Sequence, residues 1–299
     1  MTHPELISVI IPCYKQAHFL GEAITSVLSQ THAHYELIVV DDGSPDRTAE
    51  VVSRYPGVRY IRQENSGVSA ARNTGLRHSS GTYVVFLDAD DRLLPHHFET
   101  SLMVFRERPD LGLVCGDFRW FGAEGAWHRH TCSDQPDQYA ALLRFGFIWT
   151  HTVMVKRHVV MAVGGFREGL ISGEDRDCWL RIARLYPIQC HHHLVAEYRR
   201  HPMQATQKWD VMLSTGIRVM RYQLPYVKGN AAYEQCYQSG IRQYQEACGP
   251  SLVWQMVANA RAGQWKAATK ALLTLVRFYP KGLLKLIQHK IRRLSTARA

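Results

Sequence analysis

Apolar and polar positions alternate between two periods along the first 115 residues. Ile7 to Ile11 is a short β-branched run ended by Pro12, the pattern of a strand buried on both faces. Leu20, Ala23, Ile24, Val27 and Leu28 then recur at helical spacing, and Tyr35 to Val40 gives a second buried strand that stops at Asp41-Asp42-Gly43. Ser44 before Pro45 predicts a helix start, with Ser44 as cap and the helix running from about Asp46 to Arg54. A strand near Val58 to Ile61, a helix from about Gly67 to Arg77 and a strand at Tyr83 to Leu87 follow. A helix from Pro95 to about Arg106 and a strand at Leu111 to Cys115 complete the series. This alternation implies an α/β fold with a mostly parallel, Rossmann-like sheet and right-handed crossovers.

Periodicity weakens afterwards. Residues 117–138 read as loops or a short hairpin, Thr152 to Val155 as an apolar stretch, Gly164-Gly165 as a turn, and about Glu174 to Leu185 as a helix burying Trp179, Ile182 and Leu185. His191 to His193 read as an edge strand or loop rather than a metal site. From about residue 207 the chain reads as helical, and Leu283, Leu284, Ile287, Ile291 and Leu294 form one face of a final basic helix, Pro280 to Leu294. Two domains are expected, 1–203 and a C-terminal helical region at 204–299.

Composition narrows the class. The 299 residues are 46% hydrophobic, enough for a folded core, and no run approaches the roughly 18 to 20 apolar residues of a membrane span. The N-terminus lacks a signal-peptide pattern and the seven cysteines are scattered, so a cytoplasmic setting is expected. Net charge is +10, yet residues 261–299 hold ten Lys or Arg and no acid, which leaves the rest of the chain balanced. That tail reads either as a membrane-surface helix, which would put the protein on the inner face of the plasma membrane, or as a packing helix with solvated cations. Nucleic acid is not expected as a partner, because no binding motif accompanies the basic segment and the acidic clusters would repel phosphate.

Chemistry concentrates where strands end. In open α/β sheets, ligands bind beyond the carboxyl ends of the strands, where Pro12 to Lys15, Asp41 to Ser44 and Asp88 to Asp91 all fall. Glycine-rich phosphate loops are missing, so a cation held by carboxylates is the natural substitute. Asp88, Asp90 and Asp91 suit Mg2+ or Mn2+, although three such residues also build a solvated turn. Asp42 could accept from a uracil-type base or simply form the turn. Arg72 could meet the base or pyrophosphate, or lie in solvent. Ser172 and Asp175 fit a capping box, while Glu174 and Asp175 also suit proton abstraction from an acceptor hydroxyl.

Taken in order, these pieces resemble one family. They are Val9-Ile10-Ile11-Pro12-Cys13-Tyr14, Leu28-Ser29-Gln30-Thr31, Glu36 to Ser44, Asn65-Ser66-Gly67, Ala71-Arg72-Asn73, Asp88 to Asp91, Gly164-Gly165-Phe166, Gly173-Glu174-Asp175 and Tyr198-Arg199-Arg200-His201. The set is similar to the large family 2 of inverting GT-A fold glycosyltransferases, over about residues 6 to 203. The resemblance implies transfer of a sugar from a nucleotide-sugar, with a UDP-sugar as the expected donor, to a saccharide or lipid-linked saccharide acceptor in cell-surface polysaccharide or glycolipid synthesis. It assigns Pro12, Tyr14, Asp42, Arg72, Asp88 and Asp90 to the donor, with Asp90, Asp88 and His201 to Mn2+ or Mg2+. Asp175, with Glu174 beside it, takes the catalytic place. Lys15 departs from the pattern, since Asn usually follows the Tyr. A noncatalytic nucleotide-sugar-binding relative is the alternative reading, because fold does not fix function.

Overall fold

The computed structural model describes residues 5–122, 127–129, 135–144, 148–201 and 208–284. The chain divides into two compact units, Met1–Leu142 with Gly146–Pro202 and Leu143–Phe145 with Met203–Ala299.

The first unit is built on one sheet. Its strands are β1 (Ile7–Cys13), β2 (Tyr35–Asp41), β3 (Arg59–Arg62), β4 (Tyr83–Phe86), β5 (Arg92–Leu93), β6 (Leu113–Gly122), β7 (Trp127–Arg129), β8 (Val153–Lys156) and β9 (Ile188–Arg200). They lie in the order β3-β2-β1-β4-β8-β6-β9-β5, and β7 pairs with β6 as a hairpin within the weakly patterned 117–138 region. The first four neighbours are mutually parallel, and β8 runs against both β4 and β6. Because β9 is parallel to β6, the strands β1, β2, β3, β4, β6 and β9 all point one way.

Every residue of β1 is buried, as a central strand requires when helices cover both faces, and Ser8, its polar member, donates to Glu36. Among the described residues, the α-helices before residue 200 are α1 (Ala17–Leu28), α2 (Thr48–Ser53), α3 (Val68–His78), α4 (His97–Glu107), α5 (Gln138–Arg144), α6 (Arg157–Ala162) and α7 (Glu174–Ala183), of which α1 and α3 pack on β1. Leu20, Ala23, Ile24 and Val27 of α1 pack into the core under β1 and β2, whereas Leu28 is exposed. Helix α3 sits so close to β1 that a Cβ placed on Gly75 would come 2.3 Å from Ile10 Cγ2.

Three local expectations are corrected. Ser44 does not cap a helix: its hydroxyl accepts from the Lys15 N–H, and α2 starts only at Thr48, whose N–H and hydroxyl donate to Asp46. The residue at the cap position of α7 is Gly173, in the left-handed region, one place after the Ser172 expected there. Leu185 lies beyond the end of α7 and is 59% exposed, while Trp179 and Ile182 are fully buried.

In the second unit, α8 (Trp209–Val227), α9 (Ala231–Arg261) and α10 (Trp265–Phe278) pack in sequence. Asn230 caps α9 by accepting from the N–H groups of Ala232 and Tyr233. Pro225 and Pro250 lie inside helices rather than ending them. Among the described residues, no helix is long and apolar enough to cross a membrane. Of the apolar face predicted for the final basic helix, Ile287, Ile291 and Leu294 lie outside the described residues.

Gly75→Ala should destabilise the first unit by about 1–3 kcal/mol, since the new methyl meets a side chain locked in a central strand. The denaturant midpoint of the variant against wild type measures it, and an unchanged midpoint would show that α3 is free to shift.

Candidate active site

The carboxyl ends of the parallel strands define one rim. Pro12 pairs with Val40 of β2 one residue before β1 ends at Cys13, and Tyr14, just beyond, is 42% exposed. Lys15 extends its Nζ to 5.0 Å from that ring and holds φ at 58°, in the left-handed region. Asn is several-fold enriched in that region and Lys is not, which gives a backbone reason for the residue usually found there.

Asp41 and Asp42 close β2 and are both buried. Asp41 accepts from the Ser44 N–H, the Tyr60 hydroxyl and the Arg62 guanidinium. Asp42, expected at the nucleobase, accepts from Gln63 Nε2 at 2.8 Å and from the N–H groups of Ser66 and Gly67 at 2.9 Å. Its observed work is to hold the turn that leads into α3.

Arg72 is not a solvated side chain. It is 2% exposed, with Nη1 donating to Glu174 Oε1 and Nη2 to Asp88 Oδ1, each at 2.6 Å. Burial alone would lower its pKa, but the charges of Asp88, Glu174 and Asp175 outweigh it and keep the guanidinium above its ordinary value. The start of α7 and the turn after β4 are thereby tied through one side chain of α3.

Glu174 and Asp175 follow each other at that start. Asp175 Oδ1 accepts from the Arg176 N–H at 2.7 Å, and Oδ2 accepts from the Thr150 hydroxyl at 3.2 Å. Burial pushes the pKa of Asp175 above the ordinary carboxylate range, against the opposing pull of the Arg72 charge. Glu174 is raised for the same reason. A carboxylate shifted upward is a better proton acceptor near neutral pH than one in bulk water.

The Asp88 to Asp91 turn splits its carboxylates between two directions. Asp88 and Asp90 remain partly accessible, and Asp90 Oδ2 lies 2.9 Å from His201 Nε2 just past the end of β9. Asp91 does not share that surface: it is 1% exposed, meets His151 Nδ1 at 2.9 Å and accepts from the Arg199 N–H. Burial pushes its pKa up to about 6, although His151 pulls it down. Arg199 also donates to the Asp90 carbonyl and to Glu22.

The structure therefore gathers Asp88, Glu174 and Asp175 around Arg72 and pairs Asp90 with His201, while Pro12 and Tyr14 lie at the end of β1. Thr150, His151 and Arg199 join this network without having been singled out for a role. The first two lie where the apolar pattern is weakest, and nothing in their local spacing marks them; Arg199 stood inside a motif but carried no assignment.

Residues 8–164, just over half of the chain, match the family described as Glycosyl transferase family 2. The chain belongs to that family. An uncharacterized glycosyltransferase of Rickettsia felis is 28% identical over 216 residues, 68% of this chain but only 35% of the relative. The chain thus spans about a third of the length of that relative, and 66% of a Rickettsia prowazekii glycosyltransferase to which it is 29% identical. Among solved structures, the mannosyltransferase PcManGT of Pyrobaculum calidifontis, in complex with GDP-Man and Mn2+, superposes with a TM-score of 0.62 at 20% identity, covering 96% of this chain and 85% of that one. S. aureus TarS 1-349 in complex with UDP-GlcNAc gives 0.59 at 14% identity, with 91% of each covered. These likenesses fix the GT-A fold of this glycosyltransferase family 2 chain.

Replacing Lys15 by Asn should stabilise the protein by about 1 kcal/mol, the cost of holding a long side chain in the left-handed region. Thermal unfolding of the variant measures it, and a lowered melting temperature would show that the Lys15 contact to Tyr14 outweighs the strain.

Proposed function

We propose that this chain transfers a sugar from a nucleotide-sugar, with a UDP-sugar as the first donor to test, to a hydroxyl of a saccharide or lipid-linked saccharide, inverting the anomeric carbon. The observation that carries the reading is the Arg72 clamp, which holds Glu174 and Asp88 from distant parts of the chain beside Asp175 at the strand ends. The complexes of two fold neighbours with GDP-Man and UDP-GlcNAc support a nucleotide-sugar donor.

Asp175 is the proposed base. Thr150 and the Arg176 N–H fix the orientation of its carboxylate, and burial raises its proton affinity. As the acceptor oxygen bonds to the anomeric carbon, its proton passes to Asp175, and the bond to the nucleoside diphosphate breaks on the opposite face. Glu174 stays bound to Arg72 and acts by keeping that guanidinium in place. Tyr14 offers a ring face for a base to stack on.

By the chemistry of their donor atoms Asp90, His201 and Asp88 would hold a divalent cation, although their ligand atoms are not gathered within 4.8 Å of one another in this structure. Asp90 and His201 already present an oxygen and a nitrogen 2.9 Å apart, and Asp88 keeps one oxygen outside its bond to Arg72. Carboxylate oxygens with one imidazole suit Mn2+ or Mg2+. When bound, the ion supplies positive charge to the departing diphosphate.

The second unit supports a membrane-facing role. Helix α10 buries Ala268, Ala271 and Leu275 and exposes Trp265, Leu272, Leu273 and Val276, with Lys266 and Arg277 on the adjoining face and Lys270 there paired with Asp210. An apolar stripe flanked by cations suits an anionic bilayer surface, each cation adding about 1 kcal/mol near the headgroups.

Two measurements test the proposal. Asp175→Asn should leave donor-induced thermal stabilisation intact while transfer falls by at least about a hundredfold. The wild-type rate should decline on the acid side at a pH above the ordinary Asp pKa of about 3.9, because the base must be ionised and its pKa is raised. Undiminished turnover by Asp175→Asn would remove the base, and donor binding by wild type with no transfer to any acceptor would favour the noncatalytic alternative. Separately, the full chain should pellet with vesicles rich in anionic lipid and not with neutral ones, whereas equal pelleting would remove the membrane role.

A further inference from the structure

A group of side chains with metal-ligand chemistry lies in the sheet, built on residues that the rim does not use. Strands β6 and β9 pair in register at Cys115 with Cys190, then resume at Asp117 with Leu194, so Gly116 alone faces residues 191–193. The bulge is tight: a Cβ on Gly116 would lie 2.6 Å from His191 Cε1 and 2.7 Å from the His193 carbonyl oxygen. At its crest His192 holds φ at 55°, the left-handed region rarely adopted by a residue with a side chain.

This backbone brings His192 Nδ1 to 3.6 Å from Cys190 Sγ and 3.6 Å from Asp117 Oδ1. All three ligand atoms lie within 4.8 Å of one another. The His192 to Asp117 separation is too long for a hydrogen bond. It is close to the spacing of two ligands on one ion, since bonds of 2.0–2.3 Å in tetrahedral geometry put ligand atoms about 3.3–3.6 Å apart. Asp117 is fully buried, Cys190 half-buried and the His192 side chain 35% exposed, so the trio reaches from the core to solvent. Sulfur, nitrogen and oxygen in one set suit Zn2+ rather than the oxygen-seeking Mg2+.

We propose that Asp117, Cys190 and His192 bind a zinc ion, with water in the fourth position, and that the ion pins the bulge between β6 and β9. Binding converts the Cys190 thiol to thiolate and releases its proton to solvent.

The full chain is to be titrated with Co2+ as a spectroscopic stand-in, then with Zn2+ in competition. The expected result is a thiolate-to-cobalt charge-transfer band in the near ultraviolet that equimolar zinc abolishes. That band should vanish in Cys190→Ser, and zinc affinity should fall at least about tenfold in His192→Ala. Asp90→Asn should leave both unchanged, which separates this site from the rim. A readout on wild type needs no variant: zinc should slow alkylation of Cys190, the one cysteine among the described residues that is not fully buried. No cobalt band in the wild-type chain, a band that persists in Cys190→Ser, or alkylation of Cys190 indifferent to zinc would each overturn the proposal.

Discussion

A buried guanidinium held between two carboxylates organises this molecule. Arg72 has almost no contact with water, so its charge is tolerable only while Asp88 and Glu174 face it. Removing one partner of such a group typically costs about 3–5 kcal/mol, because the remaining charge is stranded in a poorly polarisable interior. The turn after β4 and the start of α7 therefore cannot drift apart without a large penalty. Phe166, with its ring 5.1 Å from the guanidinium carbon, closes one side of the clamp and helps keep it dry.

The same arrangement sets the electrostatics. One guanidinium cannot neutralise Asp88, Glu174 and Asp175 together, and burial then raises the proton affinity of Glu174 and Asp175. Asp88 and Asp90 keep partly accessible oxygens at this rim. Asp91 solves a related problem in the other direction. By turning inward to His151 and the Arg199 N–H, it anchors the turn from beneath, so that Asp88 and Asp90 are left on the accessible side. Arg199 reinforces this by gripping the Asp90 carbonyl, and His201, two residues further on, meets the Asp90 carboxylate.

How much of this could be read in advance depended on whether a residue's neighbours in sequence are also its neighbours in space. Strands β1, β2 and β4 announce themselves because a strand covered on both faces carries an almost unbroken apolar run. Helix α1 announces itself because one face must repeat at 3.6 residues. The local rules failed where a distant partner outbid them. Ser44 carried the right chemistry for a cap, yet its hydroxyl is engaged by the backbone of Lys15 from the end of β1. Ser172 stood at the right spacing, but the chain enters α7 through a left-handed glycine instead. Leu185 continued the helical period two residues past Ala183, where the helix stops.

The candidate site divides along the same line. The sequence alone determined which acidic clusters end strands, because the apolar runs before them fix where each strand stops, and their order along the chain marked the family. It could not determine which way each carboxylate faces. Only the tertiary structure decided that Asp90 meets His201 while Asp91 is buried against His151, that Asp42 holds the turn before α3, and that Arg72 joins two acids instead of standing in solvent. The physical reason is that hydrophobic periodicity records burial, which each segment expresses by itself. The direction and proton affinity of a charge depend on partners that folding brings from far along the chain.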